Sequence, residues 1–186
     1  MGDRYSKGII VVPHRPVWEH QFRTVADALA TILSDLPVDA IEHVGSTSVP
    51  GLPAKPILDI DVIVQRDIKT PATAALERAG YLHRGDLGVT DREVFAAPDE
   101  QPARNVYLCV AGTLHVRNHL AVRNALRARP DLRERYGAVK LQLASRPDMT
   151  IRRYLAGKSA VLQDILAVSD LTAEEKQMIF ELNRRA

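Results

Sequence analysis

Residues 41–64, with the sequence IEHVGSTSVPGLPAKPILDIDVIV, predict the central unit of the fold. They are typical of a strand, a Gly-Ser turn, a loop with proline and glycine, and a second strand that carries two aspartates. Because side chains alternate along a strand, Asp59 and Asp61 share one face, while the apolar residues from Leu58 to Val64 share the other. We therefore expect this strand to bury its apolar row and to turn both aspartates, partly exposed, toward a cleft.

The aspartate face and the turn before it suggest a metal and a phosphate. Two carboxylates two residues apart on one face repel each other, and a divalent cation between them lowers that energy. Gly45 and Ser46 are small residues whose backbone N–H groups can point at a phosphate, and Lys55 can offset its charge. This arrangement suits phosphoryl or nucleotidyl transfer. The alternatives are a solvated strand face for the aspartates, ordinary turn chemistry for Gly45 and Ser46, and a surface lysine for Lys55.

Length and composition predict one compact domain. A chain of 186 residues with 46% apolar content can bury a core. We expect a core over residues 1–112 and a helical C-terminal subdomain over residues 113–186. The sequence contains no run of eighteen apolar residues, so no membrane span is predicted. Its single cysteine, Cys109, excludes an internal disulfide and fits a reducing cytoplasm.

Charge is distributed unevenly between the two parts. From Arg117 to Lys158 there are 11 Lys/Arg against 3 Asp/Glu, so this segment carries +8 and the remainder −6. We expect the basic helices to fold over the acidic strand with a polyphosphate between them. Arg123 and Arg127 fall on one helical face, and guanidinium groups suit phosphate oxygens, although a charged run is also common on a solvated face.

Periodicity and turn residues predict the other elements. Helical spacing runs from Pro16 to Leu36, and Thr70 is expected to cap a short helix over residues 71–79. Three short strands, at residues 81–83, 93–96 and 105–110, complete a mixed sheet of about five strands with helices on one side. Four helices are then expected, over residues 114–129, 131–144, 151–165 and 172–183.

Three side-chain pairs in the helical part have both a structural and a functional interpretation. His115 and His119 are i,i+4 and can bind zinc, but no third ligand follows at a suitable spacing, so a structural role is favoured. The motif Tyr-x-x-x-Lys occurs twice, ending at Lys140 and at Lys158. Each pair is either a packing pair or a base-stacking tyrosine beside a phosphate-binding lysine, and packing is favoured.

The spacing of the central unit also resembles a known family. Gly45-Ser46, twelve residues and then Asp59-Ile-Asp61 resemble the DNA polymerase β-type nucleotidyltransferases. The longer string HVGSTSVPGLPAKPILDIDV, with NVYLCV and RNHLAVRNALRARP further on, is similar to the GrpB-like family, also called UPF0157. The resemblance implies an α/β (α+β) nucleotidyltransferase-like fold.

That resemblance also implies a set of site residues. Asp59 and Asp61 would be catalytic and would hold Mg²⁺ or Mn²⁺. An NTP, with ATP expected, would bind through four residues: Gly45, Ser46, Lys55 and Arg123. The nucleotidyl group would pass to the hydroxyl of an unidentified acceptor.

Two departures from the family pattern leave a second function open. Strand 105–110 carries no third carboxylate and has Tyr107 and Cys109 where many relatives have His-x-His, and the family's Arg-Asp pair is Arg123-Asn124 here. Three acids elsewhere could substitute only if the fold brings them close: Glu42, Asp91 and Glu93. The alternative function is a non-catalytic protein that binds a nucleotide or phosphometabolite. A nucleic-acid module is less favoured, because only 5% of the residues are aromatic.

Overall fold

The computed structural model describes residues 9–185 and contains one five-stranded mixed sheet in the order β1-β2-β5-β4-β3. The strands are β1 (Val38–Val44), β2 (Leu58–Val64), β3 (Leu82–His83), β4 (Arg92–Ala96) and β5 (Arg104–Val110). Strand β2 pairs antiparallel with β1 and parallel with β5, and all the other pairings are antiparallel. The expected sheet of about five strands is confirmed.

Strand β2 is the centre of the core. Its alternate residues Leu58, Ile60, Val62 and Val64 are at most 1% exposed, as the alternation predicts. They pack against α1 (Val17–Ile32) and α2 (Lys69–Arg78) in the largest apolar cluster. Burial of this row fixes the register of β2 and so places both aspartates on the opposite face.

Helices cover both faces of the sheet, so the expectation of helices on one side is wrong. Helix α3 (Leu114–Ala128) lies on the aspartate face and contacts β1 and β5. Beyond Asp61 this face turns apolar, and Val116 of α3 packs there against Ile63 and Cys109. That apolar patch needs a cover, because exposing it to water would be unfavourable.

The remaining helices form a second core that holds the loop after β1. They are α4 (Pro130–Ala144), α5 (Ile151–Gly157), α6 (Ser159–Ala167) and α7 (Ala173–Arg185). Leu126, Tyr136 and Ile165 from three of the C-terminal helices pack around Val49 and Leu52 of the loop. The C-terminal helices therefore anchor the segment that follows the Gly-Ser turn.

Several predicted boundaries are corrected. Helix α1 ends at Ile32 rather than at Leu36, because Leu33 closes it in a non-helical conformation. Helix α2 begins at Lys69, so Thr70 lies inside it and is not its cap. Helix α4 starts at Pro130 rather than at Asp131, because the missing N–H of a proline costs nothing at the start of a helix.

The predicted helix over residues 151–165 is two helices that meet at Lys158, directly after Gly157. A Cβ on Gly157 would lie 2.7 Å from Leu143 of α4, so glycine allows the close approach of α5 and α4 there. Thr172 and Glu175 form a capping box at the start of α7: Thr172 N–H donates to Glu175 Oε2 at 2.8 Å, and Glu175 N–H donates to Thr172 Oγ1 at 3.2 Å. Within residues 9–185, no helix is long and apolar enough to cross a membrane.

Candidate active site

A pocket of about 340 Å³ opens where the aspartate face of the sheet meets helices α4 and α5. This volume lies in the range of small-molecule sites. The sheet and the turn contribute Gly45, Ser46, Lys55, Asp59, Asn105 and Tyr107 to its wall. The helices contribute Tyr136, Lys140, Tyr154 and Lys158. Four of the predicted site residues, Gly45, Ser46, Lys55 and Asp59, are thus brought together.

Gly45 allows the turn to approach Asp59. Its φ of 68° lies in the left-handed region, and a Cβ at this position would overlap the Oδ2 atom of Asp59. The short helical turn Ser46–Ser48 follows directly, and Ser48 Oγ donates to the Gly45 carbonyl at 2.6 Å. The turn therefore lies against the carboxylate, as the predicted nucleotide site requires.

We expect Gly45→Ala to displace Asp59 and to weaken ligand binding in this pocket by at least about tenfold, in addition to a backbone strain of about 1–3 kcal/mol. Urea denaturation and calorimetric titration with an ATP analogue measure the two effects. Gly88→Ala is the control, since Gly88 also has a positive φ but a Cβ there meets nothing within 4 Å. Equal affinities for the ATP analogue and equal free energies of unfolding in the two variants would contradict this expectation.

Asp59 is the carboxylate that faces the pocket. It is half-buried, and its Oδ1 accepts a hydrogen bond from Asn105 Nδ2 at 2.9 Å. Burial raises the pKa of Asp59, although the Asn105 hydrogen bond opposes the shift. Asn105 lies directly beside Asp59 in the β2–β5 register, on the strand where the family pattern would place a third carboxylate. An amide donor therefore occupies the position next to Asp59 on that strand.

Asp61 does not face the pocket. Its exposure is 0%, so the expectation that both aspartates are partly exposed is wrong for Asp61. Helix α3 covers it, and His119 Nδ1 lies 2.9 Å from its Oδ2. Burial alone would lower the pKa of His119, but the attraction and hydrogen bond of Asp61 outweigh burial and raise it. Asp61 thus belongs to a buried ion pair behind Asp59.

The three acids considered as substitutes for a third carboxylate are engaged elsewhere. Their closest partners are Arg123 for Glu42, Arg66 for Asp91, and Lys69 with His83 for Glu93. All three lie outside the pocket wall, so the fold does not bring a substitute acid to Asp59.

Arg123 also lies outside the pocket wall. Its Nη1 donates to Glu42 Oε2 at 2.5 Å and to the His43 carbonyl at 3.0 Å, which ties α3 to β1. Arg127, one turn further on, donates to the Ser48 carbonyl at 2.7 Å. The basic helix α3 does fold over the aspartate face of the sheet. Its two arginines, however, donate their hydrogen bonds to β1 and to the turn after it, and not to a ligand site. The structure therefore does not bring Arg123 to the predicted nucleotide site.

Lysines supply the positive charge of the pocket instead. Lys140 is 1% exposed, and its Nζ has no hydrogen-bond partner within residues 9–185 and lies 4.9 Å from the centre of the Tyr136 ring. Burial, with Lys158 and Lys55 nearby, lowers the pKa of Lys140 to about 6. Burial likewise lowers the pKa of Lys158 to about 8, and its Nζ lies 4.7 Å from the Tyr154 ring centre. Three lysines around one aspartate favour an anionic ligand.

Sequence reasoning missed Lys140 and Lys158 as site residues. The repeated Tyr-x-x-x-Lys motif is the signal in the sequence that points to these lysines, although the motif alone favours packing for both copies. The structure shows that each lysine packs on its tyrosine and also lines the pocket, so the two interpretations are compatible.

The buried lysine predicts a pH dependence of stability. The pKa of Lys140 falls from its ordinary value of 10.5 to about 6 on folding, so between these values the unfolded chain binds more protons. The free energy of unfolding should therefore rise with pH across this window, and this contribution is lost as pH falls toward 6. Urea denaturation at several pH values should show a steeper rise for the wild type than for Lys140→Met. Equal slopes would contradict a lowered pKa of Lys140.

Comparison with solved structures identifies the class of fold. The GLD-2/RNP-8 complex matches with a TM-score of 0.55 at 14% identity over 90% of this chain and 66% of that chain. Cid1 in complex with its short product ApU matches with a TM-score of 0.52 at 15% identity, and the match covers 69% of this chain and 42% of the Cid1 chain. The fold is therefore nucleotidyltransferase-like.

The family follows from closer relatives. The chain belongs to the GrpB family, whose model, described as GrpB protein, matches residues 8–168. The UPF0157 protein BH1888 of Halalkalibacterium halodurans is 32% identical over 90% of this chain and 86% of its own. The crystal structure of GrpB from Enterococcus faecalis matches with a TM-score of 0.72 at 36% identity, over 85% of this chain and 98% of that one.

Proposed function

We propose that the pocket binds the triphosphate of an NTP together with a divalent cation, and that the protein transfers the nucleotidyl group to a hydroxyl acceptor. The observation that carries this proposal is the buried Lys140, whose Nζ has no hydrogen-bond partner in the described part of the chain and which shares the pocket with Asp59. In the free protein the lowered pKa of Lys140 favours its uncharged amine, and a bound polyphosphate would stabilise the charged form.

Each side of the pocket has its own role in this proposal. Backbone N–H groups of Gly45 and Ser46 would bind phosphate oxygens, and the lysines would offset their charge. Asp59 would hold Mg²⁺ or Mn²⁺, since a carboxylate that opens into a pocket is a hard oxygen ligand of the kind these ions prefer. When bound, the metal would stabilise charge on the transferred phosphoryl group. Asp61 lies outside the pocket wall and faces His119, so it would have to turn toward the pocket to join Asp59 as a ligand.

The similarity to nucleotidyltransferases supports nucleotide binding. Cid1 is described as a poly(U) polymerase, and its structure with ApU holds a nucleotide product. At 15% identity this likeness concerns the fold, whereas the lysines and Asp59 of this chain carry the preference for a metal-bound anion. ATP is the nucleotide we propose first, with the acceptor left open.

A second function is favoured by Asn105. Because an amide replaces the third carboxylate beside Asp59, no acid is placed in the pocket wall to take the proton of an attacking hydroxyl. The same pocket could hold a nucleotide or phosphometabolite without turnover. Binding experiments do not separate the two functions, so turnover must be measured.

The test is incubation of the protein with each α-labelled NTP, Mg²⁺ or Mn²⁺, and a cell extract as the source of acceptor. Metal-dependent release of pyrophosphate with a labelled product is the expected result. NTP-dependent thermal stabilisation without any product would support the non-catalytic function. Oligonucleotide binding that weakens steeply with salt, without NTP stabilisation, would instead indicate a nucleic-acid module.

A further inference from the structure

A second cluster of chemically reactive side chains lies on the same sheet face, outside the pocket wall. Asp61 of β2, Cys109 of β5 and His115 of α3 each offer one atom, and these three atoms all lie within 4.8 Å of one another. The three residues come from three elements far apart in sequence. His119 lies beside this cluster, one helical turn after His115, and the centres of the two imidazole rings are 4.0 Å apart.

The donor set identifies the kind of ion that would fit. A carboxylate, a thiol and an imidazole offer oxygen, sulfur and nitrogen, which together suit Zn²⁺ and related transition metals. Mg²⁺ prefers oxygen ligands and would not select a cysteine and a histidine. The cluster therefore differs in chemistry from the Asp59 pocket.

The imidazole of His115 adds a second observation on this cluster. Its Nε2 is buried and has no hydrogen-bond partner among the residues that the structure describes. Burial, with the neighbouring charges of His119 and Arg92, lowers the pKa of His115 to about 2, so its imidazole is neutral. A neutral imidazole nitrogen without a partner is a free ligand atom, and leaving it unmet in the interior costs free energy.

The thiol of Cys109 can supply negative charge to a divalent cation. Burial raises the pKa of this thiol, which favours its protonated form in the free protein. A bound Zn²⁺ would replace that proton, which passes to solvent, and the thiolate would add its negative charge to that of the Asp61 carboxylate. Arg92, whose side chain lies over the Tyr107 ring with its Cζ 5.3 Å from the ring centre, favours the thiolate form through its own charge.

We propose that Asp61, Cys109 and His115 bind one Zn²⁺-class ion, with a water molecule in the fourth position. His119 is a positioning residue in this site, because its Nδ1 lies within hydrogen-bond distance of both oxygens of Asp61 and orients the carboxylate. The ion would join β2, β5 and α3 and so fasten the helical part of the protein to the sheet. This site does not depend on nucleotide transfer in the neighbouring pocket.

The test uses the full chain after treatment with a chelator, titrated with Zn²⁺ and with Co²⁺ in excess Mg²⁺. We expect one equivalent of either ion to bind and the Co²⁺ form to show thiolate-to-cobalt charge-transfer absorption. Cys109→Ser should abolish this absorption, and Cys109→Ser and His115→Gln should each weaken Zn²⁺ binding by more than about 100-fold. His119→Gln should weaken it by about 10- to 100-fold, as expected for an outer partner.

Two variants serve as controls. His20→Gln removes an exposed histidine outside the cluster, and Asp59→Asn alters the neighbouring pocket; both should bind Zn²⁺ as the wild type does. His115 is only partly buried, so His115→Gln keeps the test valid even if Cys109→Ser fails to fold. The proposal is overturned if the wild type binds no Zn²⁺, or if it binds Zn²⁺ with the same affinity as folded His115→Gln.

Discussion

Lys140→Met should stabilise the free protein and at the same time weaken its binding of ATP by about 10- to 100-fold. Methionine fills a similar volume without a polar group, so the cost of deprotonating the lysine and burying its amine without a hydrogen-bond partner among the described residues disappears. The same change removes a charge-assisted contact to phosphate, which is worth about 1.5–3 kcal/mol. Urea denaturation without ligand, and calorimetry with a non-hydrolysable ATP analogue in Mg²⁺, measure the two effects separately.

Lys69→Met is the matched control for this prediction. Lys69 lies on α2, outside the pocket wall, and its Nζ donates to Glu93 Oε1 at 2.9 Å. Its replacement should slightly destabilise the protein and leave the affinity for ATP unchanged. If Lys140→Met destabilises the free protein, or binds ATP as the wild type does, the pocket lysines do not serve a phosphate ligand.

Asp59→Asn should reduce nucleotidyl transfer by at least about 100-fold. A metal ion held by Asp59 would stabilise charge in the transition state by several kcal/mol, and each 1.4 kcal/mol corresponds to about a tenfold change in rate. The free protein should remain folded, because burial raises the pKa of Asp59 and a neutral amide costs little in its place. The initial rate of labelled product formation at saturating NTP and metal is the measurement.

The control here is Asp67→Asn, which removes an exposed carboxylate in the short helical turn after β2. It should transfer nucleotide at the wild-type rate. Product formation by Asp59→Asn at the wild-type rate would show that the reaction takes place elsewhere. Retained ATP binding with lost turnover in Asp59→Asn would place its role in the chemical step.

The local part of the site could be predicted from the sequence because it depends on short-range geometry. Alternation along β2 fixes which residues share a face, and Gly45 with Ser46 is only twelve residues from Asp59. Both features need no knowledge of the tertiary fold. The same reasoning failed for Asp61, because Val116 and the rest of α3 cover the apolar patch beside it, and the chain passes through three more strands before α3 begins.

The missed residues depend on contacts between distant elements. The sequence around Lys140 does not indicate which way this side chain points. Helix α4 is only weakly amphipathic, so its buried face cannot be assigned from the sequence. Helix α3 itself offers no third metal ligand beside His115 and His119. The sheet places two further ligand side chains near His115, namely Asp61 from β2 and Cys109 from β5. Ligands contributed by separate elements leave no spacing in the sequence, which is why only the fold shows them.

The central claim is that the Asp59 pocket holds a metal-bound nucleoside triphosphate. A crystal structure with a non-hydrolysable ATP analogue and Mn²⁺, located by its anomalous scattering, tests it most directly. The account predicts Mn²⁺ coordinated by Asp59, with phosphate oxygens hydrogen-bonded to Lys140 and to the turn at Ser46. A nucleotide bound away from this pocket, or Mn²⁺ without a contact to Asp59, would contradict it.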